Sequence, residues 1–301
     1  MEMEPQVDAM SPPPVQRDAS TEAFEFVREL AMELSSATIE LPSFPDVAMR
    51  VQKVLSDENV SSERIVRVIG AEPMIATRVL SLANSAALNP GSQPVVELKA
   101  AVTRLGLDAL RSAVIGFAMA QLRRAKTFKG IERHLSALWQ HSVQVSALSF
   151  VIARRGSKIS PDTTMLCGLV HGVGKLYILT HSMRHPALFA DQVMYQRIIR
   201  DWHANIAKAL LESWRVAEEI VDAVHNYEDE ARDLRGTSAM LADVLELAEQ
   251  LALCKDAPDL MRERLKERRA AVRLGLDEET AKRLVGESAE ELVTLREALG
   301  S

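Results

Sequence analysis

A chain of 301 residues with 47% hydrophobic and 26% charged side chains can bury a substantial core and lies outside the composition of disordered proteins. A net charge of -6 excludes a broad phosphate-binding surface, so nucleic acid is not expected as a partner. Cys167 and Cys254 are too few for a disulfide framework and lack zinc-site spacing, which fits a reducing cytoplasm, and no apolar run approaches the ~20 residues that span a membrane.

Residues 1-20 carry Pro5 and the run Pro12, Pro13, Pro14 with little to bury, and read as a disordered tail. From Thr21 onward apolar residues recur at helical spacing, first in Phe24, Val27, Ala31 and Leu34. No stretch alternates between hairpin turns, so the expected fold class is all-α. Helices are expected near 21-35, 45-55, 61-70, 73-84, 95-105, 108-123, 131-154, 161-171, 186-200, 203-214, 217-227, 237-254, 258-273, 277-286 and 288-299. Ser61 reads as an N-cap bracketed by a Val60–Ile65 staple. Pro45, Pro73, Pro161 and Pro186 suit first turns, where a missing N–H costs nothing. Gly106 and Gly275 read as helix ends, with Asp108 and Asp277 capping the next helix. The polar segment Lys126 to Gly130 would join an N-terminal lobe, 21-125, to a second lobe, 131-254, that holds most of the histidines. Residues 258-300 would add C-terminal helices.

Three motifs stand in order in the first lobe: Leu41-Pro42-Ser43-Phe44-Pro45, the segment Ala71-Glu72-Pro73 through Leu82-Ala83-Asn84-Ser85, and Ala100-Ala101-Val102 through Leu105-Gly106-Leu107-Asp108-Ala109-Leu110-Arg111. This order resembles the HDOD family, with its LPxxP segment, its DPxLxxRLLxLANSA-like helix and its AIxxLGxxxLR-like turn. Each motif also has a purely structural use. The prolines fix the approach to a helix, Ile75, Val79 and Leu82 form a core stripe, and the glycine turn connects two helices. Asn84 and Ser85 either cap the chain or contact a ligand. The resemblance runs to about Ala248 and implies a second lobe like a degenerate HD-superfamily phosphohydrolase.

His141 shares a helix face with Leu138, Val145 and Leu148, His203 shares one with Ala207, Leu210 and Trp214, and His225 follows Val221 by one turn. Inward histidines on three helices are candidates for a shared site, since imidazole is a common metal ligand. His171-Gly172-Val173-Gly174-Lys175 is similar to the HDxGK signature with glycine where the superfamily has aspartate. The resemblance makes His141 the upstream histidine, His171 the dyad histidine and Asp243 the downstream aspartate, with His203 and His225 as further ligands. Asp243 alternatively serves the start of its helix, and Lys175 reads as a helix-end or surface charge. Glycine at 172 supplies no charge to hold a divalent cation, so ordinary phosphohydrolase activity is not expected. What remains either binds one transition metal (zinc, iron or manganese) or is an empty relic, and no other cofactor is expected. The resemblance implies a non-catalytic regulator in bacterial signal transduction, including cyclic-dinucleotide pathways, that binds a signalling protein or a small ligand between its lobes. The alternative is a residual metal-dependent phosphohydrolase acting on a nucleotide or phosphodiester.

Overall fold

A computed structural model describes residues 18–36, 39–41, 45–57, 59–84, 93–123, 128–156, 159–229, 231–232, 236–266 and 268–299. Most of the expected tail, Pro42 to Phe44, Ser85, and Lys126 and Thr127 of the expected linker lie outside these residues.

Among the described residues there are fifteen helices and no strand. In chain order they are α1 (Ala19–Ser36), α2 (Asp46–Leu55), α3 (Ser62–Gly70), α4 (Pro73–Ala83), α5 (Leu98–Arg123), α6 (Glu132–Gly156), α7 (Pro161–Val170) and α8 (Val173–Ser182). They continue with α9 (Pro186–Ala190), α10 (Gln192–Ser213), α11 (Glu218–Asn226), α12 (Gly236–Cys254), α13 (Pro258–Lys266), α14 (Arg269–Arg273) and α15 (Glu278–Leu299).

Local chemistry sets many of the ends. The Ser61 hydroxyl accepts from the Arg64 N–H at 3.3 Å and opens α3, whose Ile65 and Ile69 are buried. Pro73, Pro161 and Pro186 occupy first turns, whereas Pro45 sits one residue ahead of α2. Gly106, at φ 71°, kinks α5, and Gly275, at φ 61°, precedes the cap of α15, where Asp277 accepts from the Thr280 N–H at 2.8 Å. Asp108 makes no such cap. Its carboxylate accepts from Arg111 at 2.9 Å and from the Thr163 hydroxyl of α7 at 2.8 Å.

Several boundaries differ from those the sequence predicts. α10 runs unbroken through 200–203 and α15 through Gly286, while 258-273 divides into α13 and α14. The sequence pattern predicts no helix where α8 stands. Its residues are buried on every side except Lys175, so no amphipathic period marks it.

The apolar side chains form two cores. The smaller gathers α2, α3, α4 and most of α5, with Val51, Ile69, Val79 and Leu110 fully buried. The larger gathers α6 to α12 together with α1 and the C-terminal helices. α1 therefore packs on the second core, against α9 and α10, although the sequence groups it with the N-terminal lobe. Its buried face is Ala23, Phe26 and Leu30, offset from the stripe read from sequence, and Phe24 is 71% exposed. Glu22 fixes this docking by accepting from the Ala187 and Leu188 N–H groups at the start of α9. α5 is the one described helix long and apolar enough to cross a membrane, but it is mostly buried and belongs to both cores.

Candidate functional site

Two glycines let the site helices approach closely. A Cβ on Gly168 of α7 would lie 2.6 Å from the Ser146 Cα of α6, and one on Gly174 of α8 would overlap the His203 carbonyl of α10. These backbone-to-backbone crossings bring His141 of α6 and His171, at the end of α7, to a ring-centroid separation of 5.6 Å.

Between the two imidazoles lies Glu249 of α12. Its Oε2 is 2.5 Å from His141 Nε2 and 3.3 Å from His171 Nε2, and its Oε1 is 3.7 Å from the Lys175 ammonium. His171 is fully buried, and its Nδ1 bonds the Gly168 carbonyl at 2.7 Å. In that bond Nδ1–H donates to the carbonyl, so Nε2 faces the carboxylate as a bare lone pair unless a proton or a cation lies between them. No hydrogen bond of good geometry satisfies Nε2. Burial alone would raise the Glu249 pKa, but the His141 hydrogen bond and the nearby Lys175 charge hold it far below the usual carboxylate range.

A second ring adjoins the first. Glu228, just past the end of α11, accepts from His203 Nε2 at 2.9 Å, from the Tyr227 hydroxyl at 2.6 Å and from Lys175 at 3.3 Å. Burial pushes the Glu228 pKa upward, and the His203 hydrogen bond, Lys175 and Tyr227 outweigh it, leaving the group at about 2. Tyr227 is buried beside two carboxylates, and its hydroxyl pKa is pushed well above the ordinary value. Lys175 is no surface charge: its side chain is 20% exposed and stands between Glu228 and Glu249.

Two expected members stand elsewhere. His225 is partly exposed and pairs with Asn205 at 3.1 Å. The buried Asp243 carboxylate is taken by Arg232 at 2.9 Å and Arg273 at 2.8 Å, in a network that Glu246 extends to Arg232 and Arg268. Burial raises the Asp243 pKa and the two guanidinium groups oppose that rise. A carboxylate so occupied is not free to meet an imidazole. The acidic partner of the histidines is instead Glu249, and its signal was present in the sequence: it interrupts the apolar stripe Ala242, Leu245, Ala252 on α12.

At position 172 the backbone is ordinary, at φ -81° and ψ 2°. A Cβ there would meet only the Ser142 hydroxyl, at 3.0 Å. The absent carboxylate is therefore a matter of side-chain chemistry, not of a backbone that only glycine can adopt.

His141 Nε2, His171 Nε2 and a Glu249 oxygen lie within 4.8 Å of one another, a spacing that fits one ion on two imidazoles and a carboxylate. A cavity of about 500 Å³ opens beside this cluster among α6, α8 and α10, within the larger core, bordered by His141, Lys175, His203 and Glu228.

The chain superposes on a Shewanella amazonensis protein named provisionally a metal-dependent phosphohydrolase, with a TM-score of 0.70, 26% identity and coverage of 91% of this chain and 99% of that one. It also superposes on a Marinobacter aquaeolei protein named provisionally a signal transduction protein, with a TM-score of 0.62, 20% identity and coverage of 95% of this chain and 67% of that one. An uncharacterized Treponema pallidum protein is 20% identical over 207 residues, 65% of this chain, and the match spans 39% of that protein's length. The HDOD domain model matches residues 41–230, from the first proline motif through the Glu228 ring, and the chain belongs to the HDOD domain family.

Proposed function

We propose that this chain is a non-catalytic signal-transduction module of the cytoplasm, acting by binding a signalling protein or a small ligand. One observation carries the reading. With Gly172 in place of a carboxylate, the acidic group facing the dyad histidine is Glu249, which two imidazoles and Lys175 already occupy. A hydrolytic centre needs spare negative charge to hold its cations and an open position for water, and this donor set supplies enough for one ion at most. The Marinobacter relative's name agrees with a signalling role.

The His–His–Glu cluster supports a second reading, and the Shewanella relative's name points the same way. In it, His141, His171 and Glu249 hold one divalent ion (zinc, iron or manganese), which would supply Lewis-acid polarisation. Gly168 fixes the His171 tautomer for that role, while Lys175 and Glu228 form the adjoining wall.

Turnover decides between them. The unmodified protein, supplied with manganese, magnesium or iron, is expected to hydrolyse neither phosphomonoesters nor cyclic dinucleotides above background. A metal-dependent rate abolished by His171→Ala overturns the non-catalytic reading. Elemental analysis of protein purified without a histidine tag reports the metal separately.

A further inference from the structure

The cavity beside the cluster has a specific charge pattern. Its polar wall carries two permanent cations, Lys175 and Arg200, three imidazoles, His134, His141 and His203, and a single carboxylate, Glu228. Ala137, Leu138, Leu179 and Ile199 form its apolar side. The volume of about 500 Å³ lies in the range of small-molecule sites. Arg200 makes no ion pair with any described residue. Glu228, by contrast, sits on His203 and Lys175 as an acid would, yet its side chain is 46% exposed and lies past the end of α11. It can turn to water without unfolding a helix.

We infer that this cavity binds a small organic anion with an apolar body, and that Glu228 is the internal stand-in whose place on His203 and Lys175 the ligand's acid group takes. The inference rests on the ligand-binding reading above and names the class of ligand. Arg200 meets the anion at the rim, while Leu138, Leu179 and Ile199 receive the apolar part. Either a phosphate or a carboxylate satisfies these donors.

The test uses phenyl phosphate, benzoate and benzyl alcohol as probes of the full chain, followed by NMR of the ring protons of the seven histidines. At least one of the two anions is expected to shift His141 and His203 at concentrations where benzyl alcohol does not, and which one does so identifies the acid group. Arg200→Ala should weaken binding about fivefold, the value of one exposed charge pair. Glu228→Gln should tighten it by a similar factor, because a neutral amide yields its place more readily. Equal binding of the anions and the alcohol, or indifference to either substitution, overturns the inference. Phenol released from phenyl phosphate is read in the same samples. Release that depends on His171 would sink the non-catalytic reading and leave the pocket standing, whereas absent binding would sink the pocket alone.

Discussion

The carbonyl oxygen of His203 lies well inside van der Waals distance of the point where a side chain at Gly174 would begin, and the His203 carbonyl carbon and the Ala207 nitrogen follow at 2.8 and 3.0 Å. All three are backbone atoms, so nothing there can rotate away. Gly174→Ala should force α8 off α10 and cost about 3 kcal/mol or more. Gly172→Ala, two residues earlier, meets only a rotatable serine hydroxyl and should cost less than about 1 kcal/mol. Urea unfolding of both variants checks the contrast. Similar losses at the two positions would contradict the close crossing.

These two glycines also mark what a sequence can carry. The Ser61 cap, the Gly106 and Gly275 turns and the inward faces of His141 and His203 follow from local rules, because each depends on residues within a turn or two. α8 did not follow, since a helix buried all round has no polar face to set its period. The family resemblance points to Asp243 and not to Glu249, because a motif identifies a downstream acid but not which of the three acids on α12 the arginines hold. The docking of α1 on the second core depends on Glu22 reaching α9 across 165 residues, a separation no local pattern reports.

The arginine network around Asp243 makes a separate prediction. The Arg232 and Asp243 side chains are both buried, and removing Asp243 leaves Arg232 with Glu246 alone and takes one carboxylate from Arg273. Asp243→Ala should therefore cost about 1 to 3 kcal/mol. Were Asp243 a metal ligand instead, the loss would shrink when the wild type is stripped with a chelator. Thermal unfolding of both proteins with and without EDTA is expected to give a loss that the chelator leaves unchanged.

The last prediction concerns acid stability and a histidine outside the site. His181 is buried, stacks on Tyr177 with ring centroids 3.9 Å apart, and bonds the Tyr177 carbonyl through Nδ1 at 2.9 Å. Burial, reinforced by the charge of Arg184 and partly offset by Glu29, lowers its pKa to about 4. The unfolded chain takes up that proton near pH 6.5, whereas the folded chain waits until about pH 4. The stability is thus fully present above pH 6.5 and is lost progressively as pH falls from 6.5 to about 4, by about 3 kcal/mol. The depressed carboxylate of Glu228 acts lower, holding its contribution above about pH 4.5 and losing it toward about 2. His181→Phe keeps an aromatic ring on Tyr177, and the Tyr177 carbonyl retains the Thr180 hydroxyl as donor at 2.9 Å. Denaturant unfolding from pH 7 to 4 should accordingly slope downward in the wild type and flatten in the variant. An unchanged slope would mean that another group takes up the proton.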